Sequence, residues 1–251
     1  MTLLILAAGY AVRLQPLTLN TSKSLLTIGG KRILDRIMEK VLAVKEFSSV
    51  YIITNAKFFE NFLAWHKVSK AEGQAVSILN DGTLTNETRL GAVQDIAFAI
   101  KERSITEDIM IVAGDNLFDF DLNRFVKFAR AHSDGVSVAL YDIADIGLAK
   151  NFGVVGVDKD NKVIEFEEKP EKPKSTLVST GVYYFPKNKL SYIEEYVKMR
   201  NKLDAPGYYI AWLAKRDKIY GFRFTEDWYD IGNIESYKKA DAEYLKKERN
   251  R

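Results

Sequence analysis

Four short stretches carry residue types suited to chemistry on phosphate. The first, LILAAGYAVRLQPLT (3–17), is an apolar run ending at Gly9, with Arg13 and then Lys23 beyond it among few other charges. Backbone N–H groups after a strand, with a guanidinium and an ammonium close by, suit a triphosphate. The same residues also make a plain strand and turn with two solvated cations, and no Gly-x-Gly-x-x-Gly dinucleotide fingerprint is present. The second, IVAGDN (111–116), sets Asp115 just past an apolar strand. Mg²⁺ takes one or two carboxylates placed this way together with phosphate oxygens, although Asp and Asn there would equally cap a helix. The third, WYDIGN (228–233), offers Asp230 beside a glycine, as a second metal acid or as a turn residue. The fourth, EFEEKP (165–170), ends a strand with three acids and a lysine, a binding edge or a solvated one.

Such residues need a scaffold to bring them together. Apolar runs at 3–8, 49–55, 75–79 and 108–115 alternate with helical patterns near 31–44, 56–67, 88–102 and 122–132. This alternation predicts a doubly wound, mostly parallel α/β sheet, with ligands outside the carboxyl ends of its strands. After a further strand at 135–143 the rhythm changes. FGVVGVDKDNKVIEFEEKP (152–170) reads as a hairpin turning at DKDN, and LVSTGVYYF (177–185) as another strand. Helical patterns return at 187–199 and 234–248, with KIYGFRF (218–224) between them. The expected picture is one domain over residues 1–251, with an antiparallel β insertion covering the ligand face.

The bulk numbers narrow the function. The 251 residues are 47% hydrophobic and 28% charged, a globular balance, and the net charge of +3 comes from interspersed residues. Nothing here points to nucleic acid. With no cysteine, thiolate nucleophiles, disulfides and cysteine-bound zinc are excluded, and His66 and His132 are far apart in polar helical patterns. No apolar run reaches the roughly 18 residues of a membrane span. The N-terminus reads as a core strand rather than a signal peptide, so a cytoplasmic location without membrane contact is expected.

Taken in order, AAGYAVRLQPLT, SKSLL, AGDN, FGVVGVDKDNKVIEFEEKP, STGVYYF and WYDIGNIESY resemble the sugar-1-phosphate nucleotidyltransferase family, across residues 3 to about 240. The resemblance implies a Rossmann-like fold and a Mg²⁺-dependent enzyme. In that reaction a sugar 1-phosphate such as glucose 1-phosphate attacks the α-phosphorus of a nucleoside triphosphate, dTTP or UTP being favoured, and pyrophosphate leaves. It also implies roles. Ala8, Gly9 and Tyr10 would approach the nucleotide through backbone N–H groups. Arg13 would stabilise the triphosphate, and Lys23 would lie between the two phosphates. Asp115 and Asp230 would hold the metal. Glu168 would bond sugar hydroxyls, Lys169 the sugar's phosphate, and Gly153 and Thr180 would line the sugar pocket. In LNDGTLTNETRLGAVQD (79–95), Gly91 is offered for close approach to the nucleotide and Asn80 or Asn86 for reading the base. No C-terminal β-helix domain like that of some relatives is expected, and the charged last helix is expected to be solvated, with a homo-oligomer left open.

The loop departs from the family's Gly-x-Gly-Thr/Ser-Arg. Ala11 keeps the N–H and adds a methyl, tolerable unless a positive φ is required. Val12 removes a hydroxyl worth about 1 kcal/mol to a phosphate contact. Ser22 stands where the family has proline before the loop lysine. Two other readings follow from these residues: a cytidylyltransferase acting on a non-sugar phosphate such as phosphocholine or an inositol phosphate, and a non-catalytic binder of nucleotide sugars.

Overall fold

The computed structural model describes residues 1–69, 75–199 and 204–249. Strand β1 (Thr2–Leu6) is followed by a small ribbon of β2 (Thr27–Ile28) and β3 (Lys31–Arg32), then by α1 (Ile33–Leu42) and β4 (Ser49–Thr54). Helix α2 (Phe59–Val68), β5 (Val76–Asn80), α3 (Ala92–Glu102) and β6 (Ile109–Ala113) complete the alternating half. β1 pairs in parallel with both β4 and β6, and β4 with β5. A strand flanked on both edges and covered on both faces must be apolar throughout, and Leu3, Leu4 and Ile5 are fully buried.

The pleat divides the core. Leu3 and Ile5 join a cluster with Ile37 and Val41 of α1 and Phe62 of α2, whereas Leu4 joins Val93, Ile96 and Ala99 of α3 on the other face. In α1 the buried Ile33, Leu34, Ile37, Met38 and Val41 fall on one helical face, which seats the helix. This is the doubly wound arrangement expected from the alternation.

The second half builds outward from β6. It comprises β7 (Asn116–Phe118), α4 (Leu122–Ala131), β8 (Val136–Asp142), a short α5 (Ile146–Ala149), β9 (Gly153–Val157), β10 (Val163–Glu168) and β11 (Leu177–Phe185). Then come α6 (Ser191–Lys198), α7 (Pro206–Leu213), β12 (Ile219–Phe224), β13 (Trp228–Asp230) and α8 (Ile234–Arg249). β11 lies antiparallel to β6 and bends at Thr180–Gly181, where Gly181 has φ +77° and the pairing register shifts. Its first half pairs with β8 and β9, so the β9–β10 hairpin belongs to the same nine-stranded sheet. Asp158 closes the predicted hairpin turn by accepting the N–H groups of Asp160 and Lys162.

Two features differ from expectation. α7 had no sequence forecast. Pro206–Gly207 reads as a turn, and the apolar residues of PGYYIAWL leave no amphipathic stripe, yet proline fits the first helical position. α8 is docked rather than merely solvated. Ala240 and Tyr244 are buried, Lys247 bridges Asp119 and Asp227 at 2.6 Å each, and Asp241 accepts the Gly29 N–H at 2.7 Å. Among the described residues no helix is long and apolar enough to cross a membrane.

Candidate active site

At the carboxyl ends of β1 and β6 the chain encloses a cleft of about 610 Å³, a size suited to small-molecule ligands. Its centre is built by close strand packing. Gly114 donates to the Leu6 carbonyl at 2.8 Å, and a Cβ there would lie 2.8 Å from both that oxygen and Ser24 Oγ. Only glycine lets β6 pass so near β1, and the next residue, Asp115, is thereby delivered to the cleft floor. β7 then pairs antiparallel with β13, setting Asn116 opposite Asp230. This ribbon brings the two acids together from positions far apart in the chain.

Electrostatics at this point favour a cation. Exclusion of water and then the charge of Asp115 push the Asp230 carboxyl up to about 6, while Lys23, Arg13 and Lys169 oppose the shift. Lys23 Nζ stands 2.5 Å from Asp115 Oδ2. Lys23 begins a 3-10 turn over Lys23–Leu25, entered through Ser22 in extended conformation, with Leu25 N–H donating to the Ser22 carbonyl at 3.0 Å. Ser22 is thus compatible with the backbone that carries the lysine.

The Gly9–Arg13 loop closes one side of the cleft. Arg13 lies on a second 3-10 turn, Val12–Leu14, and Ala11 precedes it with φ 47° and ψ 45°. The positive φ that would make Ala11 unfavourable is therefore present. Thr18 Oγ1 and the Leu14 N–H both bond the Ala11 carbonyl, at 2.9 Å each, which fixes the strained residue. Ala8, Gly9, Tyr10, Val12 and Arg13 all line the cleft.

Another wall comes from the β9–β10 hairpin. Glu168 pairs with Gly153 across it, and Gly153 has no room for a Cβ, which would meet the Phe166 ring at 2.6 Å. The Glu168 side chain is only 7% exposed. Burial raises its carboxyl above the ordinary range, with Lys169 acting against the rise. Lys169 takes φ 50°, and its N–H bonds the Phe152 carbonyl at 3.0 Å. Its ammonium is half exposed in the cleft, 3.9 Å from Glu168. Thr180 lines the cleft too, but its hydroxyl is committed to the Ala139 carbonyl at 3.0 Å.

Arg13, Lys23, Asp115, Gly153, Glu168, Lys169, Thr180 and Asp230 thus share one cavity with Gly91, which has φ +89° ahead of α3. Asn80 does not join them. It is exposed at the end of β5, and its Oδ1 accepts the Gly82 N–H at 2.9 Å in a local turn. Sequence reasoning also missed several cleft residues. Asn116 is buried, accepts from Trp228 Nε1 at 3.1 Å and donates to the Thr180 carbonyl, linking the paired acids to β11. Arg89 grips Asp204 with two bonds of 2.7 and 2.5 Å, joining the approach to α3 with the approach to α7. Gly207 packs directly on Glu168. These partners are far apart in the chain, so no local pattern announces them.

A family model described as nucleotidyl transferase matches residues 2–247. The chain belongs to the nucleotidyl transferase family. Among curated relatives in the family, it is 32% identical over 237 residues to the bifunctional protein GlmU of Methanocaldococcus jannaschii, covering 92% of this chain and 51% of that protein. It is 29% identical to the glucose-1-phosphate adenylyltransferase of Fervidobacterium nodosum, covering 97% and 61%. The chain therefore spans about half to three fifths of the length of these relatives. Solved structures share the fold. A Bacillus anthracis protein provisionally described as a glucose-1-phosphate thymidylyltransferase, in complex with sucrose, superposes with TM-score 0.83 at 24% identity, covering 98% and 96% of the two chains. A UDP-glucose pyrophosphorylase complexed with UDP-glucose gives 0.82 at 19%, covering 98% of each chain.

Proposed function

We propose that this chain transfers a nucleotidyl group from a nucleoside triphosphate to a sugar 1-phosphate. An oxygen of the sugar's phosphate bonds to the α-phosphorus, the bond from that phosphorus to the β-phosphate bridging oxygen breaks, and pyrophosphate leaves. The observation that carries this reading is the convergence of Lys23, Asp115 and Asp230 between the Gly9–Arg13 loop and the Glu168–Lys169 wall. Such a reaction brings anions together, so positioning and charge neutralisation supply most of the catalysis.

In this reading Arg13 holds the triphosphate and the departing pyrophosphate. Lys23 lies between the donor and acceptor phosphates, and Lys169 anchors the acceptor. Glu168 accepts from sugar hydroxyls. Among the described residues no donor hydrogen-bonds the buried Glu168 carboxyl, which favours a hydroxyl-bearing acceptor over phosphocholine. The residues fit a magnesium ion: the β7–β13 ribbon brings the two carboxylates together, and burial and then the Asp115 charge raise the Asp230 carboxyl, a pairing that a divalent cation would relieve. When bound by Asp115 and Asp230, magnesium would neutralise phosphate charge and orient the α-phosphate. The pyrimidine donors dTTP and UTP remain the first choice from the resemblance; of the two residues offered for reading them, Asn86 lines the cleft and Asn80 does not.

The test is pyrophosphate release with Mg²⁺ across a matrix of ATP, GTP, CTP, UTP and dTTP against hexose 1-phosphates, with phosphocholine as comparison. Turnover with a hexose 1-phosphate is expected. Silence across that set, or turnover with phosphocholine alone, would overturn the acceptor assignment.

A further inference from the structure

We infer that Lys247 of α8 is a positioning residue for the paired acids: it clamps the far end of the β7–β13 ribbon and so fixes the register that sets Asp230 beside Asp115. The role given to those acids rests on the nucleotidyl-transfer reading, whereas the clamp rests on the following geometry. β7 and β13 are three residues each and form a two-stranded sheet of their own, outside the nine-stranded one. A ribbon so short is marginal by its own pairing and depends on what packs against it. At its cleft end Asn116 stands opposite Asp230. At its far end Phe118 stands opposite Trp228, so the next pair in register is Asp119 opposite Asp227. The Asp119 N–H donates to the Asp227 carbonyl at 2.9 Å, which makes this the last rung.

Like charges directly opposite on neighbouring strands push the strands apart. Lys247 Nζ lies 2.6 Å from Oδ2 of both Asp119 and Asp227, and among the described residues it is the one cation paired with either carboxylate. Tyr244, one turn earlier on α8, donates its hydroxyl to Asp119 Oδ1 at 3.2 Å, and Lys40 Nζ donates to the Asp119 carbonyl at 2.8 Å. The Lys247 ammonium also stands 4.9 Å from the centroid of the Tyr244 ring and 5.6 Å from that of Tyr229, the residue before Asp230. A single exposed ion pair contributes little. This ammonium is one-third exposed and shared by two carboxylates, so it offsets a repulsion that would otherwise open the ribbon.

The ribbon therefore carries acids toward both ends, one set closed by lysine and the other facing the cleft. Three residues separate the two rungs, a distance of about 10 Å, so Lys247 acts on Asp230 only through the strands. Asp115 is held separately, because Gly114 bonds the Leu6 carbonyl of β1. The spacing of the two acids thus depends on the ribbon. Helix α8 is secured without the lysine: Ala240 is buried, Asp241 accepts the Gly29 N–H at 2.7 Å, and Tyr237 donates its hydroxyl to the Thr27 carbonyl at 2.8 Å. Loss of the ammonium should release the ribbon and leave the helix docked.

The test compares wild type, Lys247→Arg, Lys247→Met and the double variant Lys247→Met/Asp227→Asn by two measurements. Amide hydrogen exchange in the metal-free chain reads the ribbon, and Mn²⁺ titration followed by electron paramagnetic resonance reads the acids. Methionine keeps the apolar stem and loses the charge. It is expected to speed exchange of the Asp119 and Tyr229 amides about tenfold, with β1 and β6 unchanged, and to weaken Mn²⁺ about tenfold. Arginine should stay near wild type. The double variant should recover most of both losses, since asparagine removes the repulsion and can donate to Asp119. Unchanged ribbon exchange in Lys247→Met, unchanged Mn²⁺ affinity, or no recovery in the double variant would overturn the inference and leave Lys247 as a tie for α8 alone. Should Lys247→Met fail to fold, the double variant decides: values near wild type support the clamp, and loss of either refutes it. Mn²⁺ affinity that depends on Lys247 in a chain without nucleotidyl transfer would sink the catalytic reading and leave this one standing. Transfer by a chain whose ribbon and Mn²⁺ affinity ignore Lys247 would do the reverse.

Discussion

Replacing Gly207 by alanine would set a methyl carbon 1.8 Å from Glu168 Oε2 and 2.6 Å from its carboxyl carbon. The oxygen must retreat by roughly 1.2 Å to reach the 3.0 Å below which Cβ contacts are essentially never found. The end of a glutamate side chain can move, so the fold absorbs the change. Alanine is also the better helix former by roughly 1 kcal/mol, which offsets much of the cost of displacing a buried carboxylate. Function is another matter, because a displacement of about 1 Å in a positioning group costs up to about 10²-fold. Gly207→Ala is therefore expected to lower kcat/KM for the sugar phosphate by about 10- to 10²-fold in a pyrophosphate-release assay, with KM for the triphosphate nearly unchanged and Tm within a few degrees. Gly156→Ala is the control, since the added Cβ would meet nothing closer than 3.5 Å. Wild-type kcat/KM in Gly207→Ala would mean that Glu168 does not contact the acceptor.

Other consequences follow from the strained loop and a buried acid. Ala11 holds φ 47°, a conformation that costs a non-glycine residue about 1 kcal/mol, so Ala11→Gly is expected to raise stability in urea unfolding by about that amount; a loss would show that the Ala11 methyl stabilises more than the strain costs. Burial and then the Asp81 charge push the Asp95 carboxyl up to about 8 against an ordinary 3.8, so the folded protein binds a proton more tightly than the unfolded chain. Its contribution to stability is full below about 4 and lost as pH rises toward about 8. Asp95→Asn does not titrate, so its Tm advantage over wild type should grow between about pH 5 and about pH 8, and a flat difference would refute the raised carboxyl.

Much of the scaffold was legible because the parallel strands are buried on both faces and read as unbroken apolar runs. Asp115 and Asp230 stood out as acids at strand ends. Their meeting did not, since β7 and β13 are three residues each, too short to show a period. Asn80 was misplaced because its amide oxygen is taken by a turn two residues on, a local bond that outcompetes a role in the cleft. Asp95 was hidden inside a helical pattern, where a buried acid looks like any polar residue. Gly207 was obscured by a Pro-Gly pair that here begins a helix. The charge of α8 masked two buried residues, Ala240 and Tyr244, that anchor it. Ala11 was weighed correctly as conditional on φ, and the backbone supplies the condition.

The central claim is that the paired acids act on phosphates held between donor and acceptor walls. Single-turnover formation of nucleotide sugar in Mg²⁺, by wild type, Asp115→Asn and Asp230→Asn, tests it most directly. Each substitution should leave the circular dichroism and Tm close to wild type and slow the transfer by about two to three orders of magnitude. Transfer at the wild-type rate in either variant would contradict the assignment of these carboxylates.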